Sequence, residues 1–193
     1  MKYYTLIGDP KKEDVCITHS NLPDEAENEF AKGISFISSF RNKKSVFNYN
    51  RKKNKYTDWI SGINSGTLIS NKFKQILFED TKDAPFLETY PANLSYGGTS
   101  YKDEYYCLNI LENIDAMDKN LSDFKYFDLT TVVKSIDKLV LLDQLIEPRN
   151  IFKISDLSTR IIVTEILKEK IENNHITGVK CVLLDVFIET IHF

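Results

Sequence analysis

The sequence predicts an α+β fold: a single domain over 1–193, with a mainly antiparallel, twisted sheet and two principal helices packed on it. Three observations predict it. Short runs rich in β-branched and aromatic residues recur along the chain, punctuated by Gly, Pro, Asn and Asp. Two stretches carry a clear helical period behind a hydroxyl residue, at Ser70 and at Thr164. No Pro/Gly/Ser-rich linker divides the 193 residues, and their 42% apolar content suits a continuous core and excludes a disordered chain.

The elements follow in order. Lys2–Ile7 (KYYTLI) reads as a strand ended by the Gly8-Asp9-Pro10 turn. Residues 24–32 (DEAENEFAK) read as a short acidic helix stopped at Gly33, and Ile34–Phe40 as a second strand. The run RNKKSVFNYNRKKNKY has no helical period, so its basic core, 41–55, reads as a loop or a ragged hairpin. Leu68-Ile69 is a short strand, and Ser70 caps a helix over 71–79 that puts Phe73, Ile76 and Leu77 on one face. Two strands, about 86–95 and 103–112, meet across Gly97-Gly98; a hairpin explains these glycines better than a phosphate loop, because no helix follows.

An acidic stretch over 112–128 leads to strand-like runs at Val132-Val133, Leu139–Leu142 and Ile151–Ile154. Ile161–Val163 is then a strand, Thr164 a cap, 164–174 a helix, and Val179–Leu184 the last strand. LISNKFKQIL and IVTEILKEKI thus share strand, cap, helix and a lysine four residues after the cap. A pseudo-repeat would produce that match, and so would two unrelated β-cap-α units on one sheet. The pattern places Phe73, Ile76, Leu77, Leu108, Ile110, Leu141, Ile154, Leu167 and Ile171 in the core.

Charge is distributed unevenly. From Phe30 to Thr57 there are eight basic residues and no acid, so the remainder of this chain of net charge -3 carries -11. The N-terminus lacks the apolar region and cleavage site of a secretory signal, and no apolar run approaches the roughly 20 residues that span a bilayer. Cys16, Cys107 and Cys181 are odd in number and far apart, which gives neither a disulfide framework nor a metal knuckle. A reducing cytoplasm, without a membrane, is the expected location.

The residues suggest no catalytic constellation. His19, His175 and His192 form no metal-binding spacing, and His175 ends a helix, where imidazole suits the negative end of the dipole. The cysteines sit in apolar runs as core residues, and Trp59 reads as a core or rim anchor. Asp115, Asp118 and Asp123 lack calcium-loop spacing. The reading therefore contains no catalytic residue, no metal and no cofactor. The basic segment has a nucleic-acid alternative: Arg41, Lys43, Lys44, Arg51, Lys52 and Lys53 interleave with Phe36, Phe40, Phe47, Tyr49 and Tyr56, cations for phosphates and rings for bases. An overall acidic chain argues against it.

One order of motifs is more informative. A strand and Ser-initiated helix (Leu68–Leu77) precede a Tyr-Tyr-x-Leu-Asn run (Tyr105–Ile110), then Ile114-Asp115-Ala116-Met117-Asp118 with Ser122. Leu139–Asp143, Ile151–Ile154 and Ile176-Thr177-Gly178-Val179 follow. In this order the chain resembles the immunity proteins of bacterial polymorphic toxin systems, a family with a myxobacterial type member and long known as a domain of unknown function. The resemblance is strongest over 58–185.

The resemblance implies a non-enzymatic immunity protein that binds and neutralises a cognate toxin by stoichiometric contact, the toxin being of a class that includes nucleases with basic clefts. An acidic partner would be steered to such a cleft. The candidate contact surface is the acidic stretch: Asp103, Glu104, Glu112, Asp115, Asp118, Asp123 and Asp128, with Tyr101, Tyr105, Phe124, Tyr126 and Phe127 as apolar anchors; the alternative is a solvated acidic loop whose aromatics cover the sheet. The basic residues of 41–55 are the secondary candidates.

Overall fold

Both expected strand–helix units form, after Ser70 and after Thr164, and each lies against a sheet of its own. The computed structural model describes residues 1–9, 17–20, 30–35, 45–49, 56–61, 67–80, 82–101, 104–130 and 133–185. The first sheet contains β2 (Ile17–Ser20), β3 (Ser45–Tyr49), β4 (Trp59–Ile60), β5 (Thr67–Ser70), β6 (Leu87–Tyr96), β7 (Thr99–Ser100) and β8 (Tyr105–Ile110). Its order is β2-β3-β6-β8-β5-β4, with β7 paired to β6. The second sheet runs β14-β1-β13-β12-β9, from β1 (Tyr3–Gly8), β9 (Asn113–Ile114), β12 (Ile151–Ile154), β13 (Ile162–Thr164) and β14 (Val179–Leu183). A separate hairpin joins β10 (Asp123–Tyr126) to β11 (Val133–Lys138). All these pairings are antiparallel except β3 with β6 and β12 with β9. The expected α+β, mainly antiparallel architecture is present, its strands shared between two sheets and a hairpin.

Helices α1 (Asn71–Glu79) and α3 (Glu165–Asn173) follow β5 and β13 directly, and short α2 spans Asp143–Ile146. The two long helices share one apolar layer with the facing sides of both sheets. Phe73, Ile76 and Leu77 of α1 and Leu167 and Ile171 of α3 meet Ile69, Leu108 and Ile110 from the first sheet and Leu6, Ile151 and Val163 from the second. A fully buried side chain of this kind contributes about 1.5–3 kcal/mol. On the far face of the first sheet, Phe30, Phe47, Ile60, Leu68, Leu94 and Cys107 form a second cluster. On the far face of the second sheet, Ile136, Ile146, Phe152, Ile154 and Ile162 form a third.

Polar clamps fix the helix pair at both ends. Where α1 begins, the Ser70 hydroxyl accepts from the Phe73 amide at 3.2 Å and donates to Asp58 at 2.7 Å. Asp58 also accepts from the Thr177 amide at 3.0 Å and hydroxyl at 2.8 Å, just before β14. Gly178, at φ 83°, lies where a Cβ would collide with the Trp59 carbonyl and the Thr57 side chain, so the close approach requires glycine. Where α1 ends, Asp83 accepts from the Asn150 amide at 2.7 Å and Asp80 from the Asn150 side chain at 3.0 Å. The Asn150 side-chain oxygen accepts in turn from the Thr164 hydroxyl at 2.9 Å. Thr164 therefore stands at the start of α3 without capping it by its side chain; its hydroxyl is used across the interface instead.

Three other expectations are corrected. The basic run is not wholly loop: β3 arises inside it, because Val46 and Phe47 supply an apolar pair, and Phe47 is fully buried. Arg41, Lys43, Lys44, Arg51, Lys52 and Lys53 lie outside the described residues. Leu139–Leu142 makes no strand beyond a single bridge between Leu141 and Met117. Its backbone is satisfied by the 116–122 loop: Val140 accepts from Asp118 at 2.8 Å and donates to Ser122 at 2.9 Å, and Leu142 donates to Ala116 at 2.9 Å. Leu141 is consequently half-buried, whereas the other eight expected core residues are buried. Ile34 and Ser35 are outside any strand, and the remainder of 34–40 is outside the described residues. Of the expected acidic helix, residues 30–32 are described and helical, ending at Gly33 with φ 68°.

The carbonyls of this helical turn and of the residues after it are held by donors from the neighbouring strands and the β8–β9 link. The Lys153 ammonium donates to the Phe30 carbonyl at 2.6 Å, the Asn113 amide to Ala31 at 2.8 Å, the Glu112 backbone to Gly33 at 3.0 Å and the Asn109 amide to Ile34 at 2.8 Å. Burial pushes the Lys153 ammonium down to about 8 from its ordinary 10.5.

Two outcomes follow from these contacts. Asp58→Ala strands the Ser70 and Thr177 donors, and urea unfolding should show a loss of about 2–4 kcal/mol with an unchanged slope; a loss under about 0.5 kcal/mol would remove the clamp from the account. For Lys153, the buried charge costs stability below pH 8, where it is protonated in both states. That cost disappears as pH rises through 8 to 10.5, because the folded protein sheds the proton first. The stability of the wild type relative to Lys153→Met should therefore rise by about 3 kcal/mol between pH 7 and 11, and a flat difference would contradict it.

Candidate functional site

The acidic stretch divides into three places. Glu104 lies where β8 begins: its carboxylate accepts from the Tyr106 hydroxyl at 3.2 Å and its carbonyl from the Asn71 amide at 3.2 Å. Lys74 sits 3.7 Å over the Tyr106 ring. Tyr101 is nearby but half-buried, with its ring 4.5 Å from Tyr56 and 6.3 Å from Tyr105, which is itself buried. Asp103 is outside the described residues.

Glu112 lies beyond the other end of β8, a strand whose six residues alone span about 20 Å. It has φ 59° and is 2.9 Å from the Arg149 guanidinium, which stacks 3.6 Å from the Phe86 ring centre. This carboxylate holds a largely covered arginine in place.

The third place brings together Asp115, Asp118, Asp123, Phe124 and Tyr126. Asp118 shapes it: its side chain accepts from the Asn120 amide at 2.9 Å and the Leu121 amide at 3.2 Å, a turn built by a short carboxylate. That turn, with the Ser122–Val140 bonds, directs the chain into β10. Asp115 pairs with Lys119 at 3.6 Å. The ammonium of Lys119 is held above its ordinary range by Asp156 first, then Asp115, with Tyr126 contributing. Burial raises the Asp156 carboxyl, and Lys119 opposes the shift. Asp123 is exposed at the start of β10, Phe124 packs against the third cluster, and Tyr126 is exposed with its ring 5.1 Å from Phe124.

Sequence reasoning named Phe127 and Asp128 at the tip of this hairpin and missed Leu129. Leu129 is wholly exposed and has φ 61°, a left-handed conformation that costs a side-chain-bearing residue about 1–2 kcal/mol. Phe127 beside it is half exposed, as is Leu121 at the base. The available signal was a lone leucine among polar residues between two strand-like runs, Phe127-Asp128-Leu129-Thr130.

Little in the described residues points to covalent chemistry. Burial pushes the thiols of Cys107 and Cys181 up to about 12, which keeps them protonated. Among the described residues, no three His, Cys, Asp or Glu side chains group as metal ligands, and no helix is long and apolar enough to cross a membrane. Phe47 and Tyr56 are buried in the core, so these two aromatics of the basic segment cannot stack on bases.

A family model described as "Immunity protein family (Imm11)" matches residues 9–182. No curated protein matches the chain. The matched range contains every strand from β2 to β13, both long helices, all of the acidic stretch and the hairpin.

The carboxylates should separate by role in urea unfolding. Glu112→Gln, which loosens Arg149, is expected to cost about 0.5–1 kcal/mol. Asp123→Lys, on an exposed strand end, should stay within about 0.5 kcal/mol of the wild type. Equal costs would mean that Asp123 is also a structural residue.

Proposed function

Because the chain belongs to the immunity protein family, we propose that it binds a cognate bacterial toxin and neutralises it by stoichiometric protein–protein contact in the cytoplasm of the producing cell or a sibling. The observation that carries this reading is the family match across residues 9–182. Such a function needs no reacting groups. It needs a rigid surface that covers or distorts the toxin's working cleft, and the clamped helix pair and three apolar clusters supply the rigidity.

Asp115, Asp118 and Asp123 are the carboxylates best placed to face a basic cleft, such as that of a nuclease. They fall in one stretch of chain between β9 and the start of β10, and Asp115 and Asp123 are exposed. Glu112 is engaged by Arg149, and Glu104 is on a separate edge. Electrostatic attraction from such a group acts mainly on the rate of encounter and weakens with salt.

Co-expression with the toxin encoded beside this chain tests the reading: cells should survive with it and die without it, and the purified proteins should form a complex of fixed stoichiometry. Asp115→Lys with Asp123→Lys should slow association about tenfold at low salt and have little effect at high salt. Absence of any complex with the wild type would sink the proposal; a complex whose association ignores both the substitutions and salt would move the contact off this surface.

A further inference from the structure

The β10–β11 hairpin presents apolar side chains that the described residues leave half or wholly exposed. Tyr126 is 42% exposed, Phe127 48% and Leu129 107%. A solvated leucine gains nothing from burial, and at φ 61° it also occupies backbone space that glycine or asparagine takes more readily. Both properties work against the isolated chain, and both are offset when the tip is inserted into something apolar.

The tip is held rather than loose. Ile136 of β11 is buried, and Phe124 and Val133 pack against the same cluster. At the turn, the amide and hydroxyl of Thr130 both donate to the Phe127 carbonyl, at 3.1 and 3.0 Å. A protruding apolar group on a fixed stem loses little freedom on binding.

Its charges indicate the kind of occupant. Asp123, Asp128 and Asp137 are matched in number by Lys125, Lys134 and Lys138. Lys125 lies 3.7 Å from Asp137, and Lys134 lies 5.9 Å over the Phe127 ring. The hairpin is thus neutral in sum within an acidic body; Asp123 stands at its base, where β10 begins, and the tip offers a basic cleft little net charge of its own. We propose that Phe127 and Leu129 form an apolar plug that enters a neutral hydrophobic pocket of the toxin and anchors the complex against dissociation. The plug rests on the toxin-binding reading and complements the carboxylates, which govern approach.

The test uses the full chain and the toxin polypeptide encoded beside it, with rates from surface plasmon resonance. Leu129→Gly suits the backbone and removes the side chain, so its urea midpoint should equal or exceed that of the wild type. Leu129→Gly, Leu129→Asp and Phe127→Ser should each raise the dissociation rate about tenfold or more, with association within about twofold. Unchanged dissociation in all three, with the wild type still binding, overturns the plug and leaves the immunity reading standing. No binding by the wild type overturns both. A concentration-dependent dimer that Leu129→Asp turns into a monomer, with toxin binding unaltered, also overturns the plug and assigns the tip to self-association.

Discussion

Everything else in this molecule is arranged around a pair of helices fastened to each other's strands at both ends. Asp58 gathers the first turn of α1 and the approach to β14; Asn150 gathers the segment after α1 and Thr164, the residue before α3. Each helix is thereby fixed to the opposite sheet through groups that would otherwise be buried donors without acceptors, a costly state. The apolar layer supplies most of the free energy, but apolar contact alone is tolerant of sliding. Directional bonds at the two ends determine which register the layer adopts. With that register set, the outer clusters can form on the far faces of both sheets.

This division explains what was legible in the sequence. A helical period followed by a loop is a local signal, so Ser70 and the faces of Phe73–Leu77 and Leu167–Ile171 could be read directly. The meaning of Thr164 could not, since its hydroxyl has a capping position and a competing acceptor, Asn150, that is distant along β12 and β13 packing. Asp58 gave no signal at all, because its three partnerships depend on residues 12 and 119 positions away. Phe47 was obscured by composition: cations on both sides made a core strand look like solvated loop. The four apolar residues Leu139–Leu142 looked like a strand but met a loop whose backbone, with the Ser122 hydroxyl, satisfied theirs.

The acidic surface was legible as composition and not as geometry. Seven acids between residues 103 and 128 read as one patch along the chain. An extended β8 separates Glu104 from Glu112, and a turn made by Asp118 gathers the rest. Carboxylates of one segment accordingly do unlike work: one positions an arginine, one shapes a turn, and others stand in water. Charge count alone cannot distinguish these, since the difference is in the donor each oxygen meets.

The β10–β11 hairpin is bonded as a ladder only to itself among the described strands, while its stem leans on the third cluster. Residues at its turn can therefore be exchanged, inserted or lost without shifting the register of either sheet. On the proposed toxin contact at this tip, this is a place at which recognition can diverge while the helix pair and its clamps stay the same. The fold thus separates the part whose register the two sheets depend on from a part whose turn neither sheet needs.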